Sequence, residues 1–182
     1  YLMCGSSIEE DHLLINPHTI IGYFQGMQGA SIGIKVVGKD SWQTGTALSK
    51  EGSFFIAEDF DHAVDSPILL GELTYADTTI ADTKVEIYTY SANDVWNSQI
   101  LLTDMSDMLD AARRFLVTLP VDRYTFLYFF EPDPPGVTGA WEHSYSSEYV
   151  ITERPVNEKS REAMIDIASH EFFHIVTPLN IH

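Results

Sequence analysis

The chain has 182 residues, enough for a real core in one domain or in two small ones. Hydrophobic residues make up 45% and aromatics 12%, which is a globular composition and excludes a disordered chain. Twenty-seven Asp and Glu against ten Lys and Arg give a formal net charge of -17, a field that repels phosphate backbones and argues against nucleic acid as a partner. The same field favours cations, including metal ions and the ammonium end of a peptide, although much of such acidity serves only solubility. One cysteine, Cys4, excludes a disulfide within the chain and leaves the redox compartment open. No apolar run approaches the ~20 residues that span a bilayer. The first residues, Tyr1-Leu2-Met3-Cys4-Gly5, lack the basic flank and apolar core of an intact signal peptide, so the chain reads as a processed or excised piece.

Residues 1 to about 90 are expected to be mostly β structure. Leu13-Leu14-Ile15 is a short apolar run, and Asn16-Pro17-His18 marks a turn or helical start. Residues 31–37, 53–56 and 68–75 read as strands separated by turn residues. Residues 83–90 alternate most clearly, with Val85 and Ile87 on one face. Several short strands of this kind predict a β-sandwich-like domain. The pattern changes near Ser91. Over residues 98–116, Leu101, Met105, Met108, Leu109, Ala112, Phe115 and Leu116 form a helical stripe, and Pro120 ends the element. Residues 124–130 predict a strand buried on both faces. A Pro-rich loop follows at 131–136, then a second strand at 140–147, and a helix from Asn157 onward closes the chain. The sequence therefore divides into an N-terminal β domain at 1–90 and an α+β unit at 91–182 that has only begun.

The chemistry sits on that last helix, in His170-Glu171-Phe172-Phe173-His174. Residues four apart share a helical face, so both imidazoles can reach one metal ion at roughly 2.0–2.1 Å. Glu171, beside the first ligand, can take a proton from a metal-activated water that attacks an amide. This is the HExxH arrangement of zinc metallopeptidases. The bland alternative is a buried helix on which two His fall four apart by chance. Against it stand the uninterrupted helical run and the apolar Phe172, Phe173, Ile175 and Val176 around the motif.

A catalytic zinc site uses three protein ligands and a water. Metzincins place a Gly three residues and a His six residues after the second His; Thr177 and Asn180 occupy those positions and exclude that subclass. Gluzincins take their third ligand from a Glu on a following helix, and neither Glu nor Asp occurs among the eight residues after His174. Either His182 folds back to ligate, or the third ligand lies beyond the chain end.

Gly139-Ala140-Trp141-Glu142-His143-Ser144, followed by Ser169-His170-Glu171-Phe172-Phe173-His174, resembles the glycyl aminopeptidase family of gluzincin metallopeptidases. Its members carry a Gly-x-x-Glu-His strand ahead of a His-Glu-[Phe/Tyr]-Phe-His helix. The stretch 54–67, with Ala57-Glu58-Asp59-Phe60-Asp61 and Val64-Asp65-Ser66-Pro67, resembles the end of that family's N-terminal β domain. The resemblance implies a β-sandwich-like domain and then the first half of a thermolysin-like catalytic domain ending on the HExxH helix, with further C-terminal domains, often a PDZ domain, in the same protein. It implies Zn2+ held by His170 and His174, Glu171 as general base, and peptide or protein substrates. Glu142 is placed by it on an edge strand beside the cleft, where a carboxylate pairs with a substrate's free α-amino group. An extracytoplasmic location, periplasmic or secreted, follows by the same route. After the second His the family commonly continues Trp-Asn-x-Lys-Arg, whereas here the chain reads Ile175-Val176-Thr177-Pro178-Leu179-Asn180. That departure leaves the substrate contacts of the basic segment unassigned.

Other residues carry less. His143 reads as structural rather than as a ligand. Asp166, one turn before His170, either orients that imidazole or lies on a solvated face. Asp59, Asp61 and Asp65 form an acidic cluster without the ligand order or Gly of an EF-hand. Neither a Gly-x-Ser-x-Gly nucleophile elbow nor a phosphate-binding Gly loop occurs. A non-catalytic peptide-binding relative that keeps the fold without the chemistry, or a structural role for the β domain, remains the alternative to an enzyme.

Overall fold

A computed structural model describes residues 5–116, 118–134 and 138–177. Cys4, Asn180 and His182 lie outside the described residues, as does part of the loop expected at 131–136.

The chain opens with a hairpin of β1 (Ser7–Ile8) and β2 (His12–Ile15), followed by a 3-10 turn at Pro17–Thr19 capped by the Asn16 side chain. Next come β3 (Ile32–Ile34), β4 (Gln43–Gly45), β5 (Ser49–Glu51), β6 (Phe54–Ala57), the short helix α1 (Phe60–Val64) and β7 (Ile68–Gly71). These strands form two small antiparallel sheets, ordered β1-β2-β7-β4 and β3-β6-β5. The remaining strands, β8 (Thr74–Ile80), β9 (Thr83–Ser91), β10 (Arg123–Glu131), β11 (Gly139–Glu142) and β12 (Ser146–Thr152), make one five-stranded sheet in the order β11-β12-β10-β9-β8. Helix α2 (Ser98–Leu116) connects β9 to β10, and α3 (Glu158–Phe173) follows β12.

Strand β10 is the centre of the fold. It runs parallel to β9 on one side and β12 on the other, while β8 and β11 are antiparallel edges. Every residue from Tyr124 to Phe130 is buried, as expected for a strand covered on both faces. Tyr124, Phe126, Tyr128 and Phe130 face α2 and α3, joining Leu101, Met105, Leu109, Met164, Ala168 and Phe172 in the main core. Leu127 and Phe129 face the other way and meet Leu14, Leu69 and Leu73 of the N-terminal region. The alternation follows from the two-residue period of a strand. Each fully buried aromatic contributes about 1.5–3 kcal/mol, so this one strand anchors both layers. The layers approach so closely that a Cβ on Gly45 would lie 2.5 Å from Cγ of Tyr88, so only glycine fits at that crossing.

The N-terminal β region is present, but its buried clusters do not pair its two sheets with each other. The four-stranded sheet packs on the five-stranded one, whereas Leu48, Phe55, Ala57 and Ala63 make a separate small core with α1. Three further differences from the sequence expectation have local causes. Residues 68–75, expected as one strand, are two strands in different sheets, with the break at Gly71 and the exposed Glu72. Residues 140–147, expected as one strand, form a tight reversal: the His143 N–H donates to the Ser146 carbonyl at 2.9 Å and the chain returns as β12. The division expected between 90 and 91 falls inside β9, an internal strand of the five-stranded sheet, so that sheet begins at Thr74. Among the described residues no helix is long and apolar enough to cross a membrane.

Candidate metal centre

Helix α3 is built to hold its last turn in place. Asn157 caps its N-terminus reciprocally with Ser160: the Ser160 N–H donates to Asn157 Oδ1 at 3.1 Å, and the Asn157 N–H donates to Ser160 Oγ at 2.9 Å. Glu158 adds a negative charge to the first turn, where the helix dipole favours it. Arg161 forms an ion pair with Asp104, tying α3 to α2. Met164, Ala168, Phe172 and Ile175 recur on one face and are buried against the sheet. Phe172 meets Tyr124 edge-on, ring centroids 4.9 Å apart at 87°. With Phe172 locked into the core between them, His170 and His174 emerge on the flank of the helix, His170 exposed and His174 half-buried.

The two imidazoles face each other. Their Nε2 atoms are 3.4 Å apart, with the rings crossed at 79°. Two nitrogens bound tetrahedrally to zinc at ~2.0–2.1 Å would stand about 3.3–3.4 Å apart, so the pair already has the bite such an ion requires. His174 Nδ1 lies 2.9 Å from the Thr177 carbonyl oxygen. A carbonyl only accepts, so Nδ1 carries the proton and Nε2 keeps its lone pair for a metal. Donor atoms of His170, Glu171 and His174 all lie within 4.8 Å of one another, and no further His, Cys, Asp or Glu among the described residues joins that group. The donor set therefore fits zinc, with coordination left for at least one more ligand.

Glu171 is 6% exposed. Burial pushes its carboxyl above the usual range; His170 opposes that shift, and Glu142 reinforces it. The fold thus brings Glu142 and Glu171 into one electrostatic neighbourhood across 29 positions of sequence. Glu142 is the last residue of β11, the outer strand of the sheet, and α3 packs against that strand. A carboxylate at a sheet edge beside the facing histidines can engage a cation delivered along the edge.

Sequence reasoning placed Asp65 in an acidic cluster and missed its partners. It follows α1 and reaches across the fold to the β11–β12 turn, where Oδ1 lies 3.0 Å from His143 Nδ1 and Oδ2 accepts the Ser144 N–H at 2.9 Å. Burial alone would raise the Asp65 carboxyl, but hydrogen bonds from His143 and Ser144 outweigh it and hold the group below the ordinary carboxylate value. His143 is buried, and its Nε2 has no hydrogen-bond partner among the described residues. Asn16, His18, Asp65, Trp141, Glu142 and His143 line a pocket of about 480 Å3 at this junction. The acidic cluster noted in the sequence does not converge: Asp59 caps α1 through the His62 N–H, and Asp65 turns to His143. Asp166 is exposed, and no hydrogen bond joins it to His170.

Residues 3–72 match the family model described as Peptidase M61 N-terminal domain. The fold as a whole is similar to the crystal structure of an aminopeptidase N family protein from Idiomarina loihiensis, with a TM-score of 0.77 at 17% identity over 93% of this chain. The chain spans 31% of the length of that structure. No curated protein matches the chain. The first part of the chain is thus similar to the N-terminal region of M61-type peptidases, and the remainder continues into a fold found in an aminopeptidase-type protein.

Proposed function

We propose that this chain carries the first zinc-binding half of a gluzincin-type metallopeptidase, an aminopeptidase that hydrolyses peptide bonds near a free N-terminus. The single observation that carries the reading is the facing pair of Nε2 atoms at 3.4 Å, with the Thr177 carbonyl fixing the tautomer of His174. His170 and His174 would hold Zn2+, and a third protein ligand from outside the described residues would complete the set. When bound, zinc supplies Lewis acidity beside Glu171.

The chain's own groups then divide the work. Glu171, a buried carboxylate whose donor atom lies within 4.8 Å of the histidine nitrogens, takes a proton from the attacking water. Oxygen bonds to the amide carbon, the C–N bond breaks, and the same carboxyl returns the proton to the leaving amine. Strand β11, a free edge of the sheet among the described residues, offers backbone pairing to an extended peptide. Glu142 at its end would hold the substrate's α-ammonium group. Further C-terminal domains and an extracytoplasmic location belong to the same reading.

The test is a peptidase assay on the full-length protein. The reading predicts turnover that is lost on chelation, restored by zinc and abolished by Glu171→Gln. Stoichiometric zinc without turnover would indicate a peptide-binding relative that keeps the fold alone.

A further inference from the structure

We infer that Asp65 is a positioning residue for Glu142, a clamp by which the N-terminal part of the chain sets the end of the edge strand that receives a substrate's amino terminus. The inference rests on the reading of Glu142 as the amino-group acceptor.

Asp65 spends both carboxylate oxygens on the β11–β12 turn. One meets His143 Nδ1 at 3.0 Å and the other the Ser144 N–H at 2.9 Å, across 78 and 79 positions of sequence. His143 and Ser144 directly follow Glu142, so the bidentate contact fixes the backbone on the C-terminal side of Glu142. The turn is held from other sides as well: the Thr125 N–H of β10 donates to the Tyr145 carbonyl at 3.0 Å, and the His62 ring of α1 packs on Tyr145 with centroids 5.1 Å apart. Asp65 is itself anchored, because its N–H donates to the Asp61 carbonyl and the neighbouring Ser66 hydroxyl donates to the His62 carbonyl at 2.8 Å.

Helix α1 thus acts as a rigid arm. Without it, the turn after Glu142 would keep only its own His143–Ser146 bond and the Thr125–Tyr145 bond to β10, neither of which holds the His143 side chain, and an edge strand has no second neighbour to hold it. A carboxylate can only accept, so His143 Nδ1 carries the proton of this contact. In this way the N-terminal region enters substrate recognition, since displacing a recognition group by about 1 Å is enough to lose a large part of its effect.

The experiment measures binding, so it does not depend on turnover. In the full-length protein carrying Glu171→Gln, affinity is measured by calorimetry for alanyl-phenylalanine amide and for its N-acetyl form. Zinc content and thermal midpoint are recorded for every variant. The clamp predicts a preference of at least tenfold for the free amine, largely lost in Asp65→Asn and His143→Ala at unchanged zinc content. His143→Asn, whose side-chain N–H can stand in for Nδ1–H, should recover most of it. Adding Asp65→Asn to Glu142→Gln should cost nothing more, because both act through the same carboxylate. A preference that survives Asp65→Asn, losses that add in the double variant, or a parent with no preference for the amine would each overturn the clamp. Failure of the broader reading shows separately, as a parent that neither binds zinc nor, with Glu171 restored, turns over peptides.

Discussion

His170 and His174 turn their Nε2 atoms toward each other across one helical turn, 3.4 Å apart, while the buried Glu171 keeps a donor oxygen within 4.8 Å of theirs. Under the proposed function one helix carries two tasks, the two imidazoles as ligands and the buried carboxylate as proton acceptor. Removing the acceptor should leave the ligands intact. Glu171→Gln is expected to keep zinc at parent stoichiometry and to lower turnover by about 10²- to 10⁴-fold, the usual contribution of a positioned general base. Metal analysis alongside steady-state kinetics checks both halves.

Glu142 should act on substrates and not on the metal. Charge-assisted hydrogen bonds contribute about 1.5–3 kcal/mol, so Glu142→Gln should weaken binding of peptides with a free amino terminus by roughly 10- to 100-fold. Zinc content should not change. A matched series of free and N-acetylated peptides reads the effect.

Phe172 fixes the rotation of α3, being 1% exposed, edge-on to Tyr124 and stacked against Phe126. Phe172→Ala should cost roughly 3–5 kcal/mol of stability, as other buried aromatic truncations do. The flank bearing both His should lose its fixed direction, so zinc affinity should fall along with the thermal midpoint. Denaturant unfolding and competitive zinc titration measure the two effects.

The join between the N-terminal region and the five-stranded sheet carries its own pH dependence. Glu86 is 4% exposed, yet Lys84 Nζ lies 2.8 Å from it, the Tyr75 hydroxyl donates to it at 3.0 Å and Arg123 pairs with it closely. Burial would raise its carboxyl, but Lys84 and Arg123 outweigh that and hold it below the ordinary value of 4.5. A group lowered in the folded state stabilises at every pH above its unfolded value and loses that contribution as pH falls through the folded one. Stability should therefore fall with acid below about pH 4.5, and Glu86→Gln should flatten that part of the profile. Glu86→Ala should cost roughly 1–2 kcal/mol near pH 7, because it removes the shared partner of Arg123 and Lys84, whose charges are partly exposed and regain water. Arg123 also donates to the Thr46 carbonyl at 2.9 Å, so the loss should loosen the loop that packs there.

Much of this architecture is legible in local patterns. The stripe of Leu101, Met105 and Leu109 identifies α2 over its full length, and the apolar run at 124–130 identifies a strand covered on both faces. The motif at 170–174 falls on a helix because the run before it has neither Gly nor Pro. Pairings between distant residues are not legible in that way. Nothing near Asp65 points to His143, 78 positions away, and the nearby Asp59 and Asp61 suggest a shared role that the fold does not give them. The boundary expected at 90 lies within β9 for a related reason. Residues 83–90 look like the strands before them, and only pairing with β10 shows which sheet they join.

Zinc stoichiometry of the purified full-length protein, measured beside His174→Ala, tests the central claim most directly. The facing imidazoles predict one zinc per chain in the parent and loss of that zinc in the variant, with the thermal midpoint of the zinc-free protein unchanged. A parent that takes up no zinc, or a variant that keeps it, would mean that these two histidines are a helix-surface pair and not a metal centre.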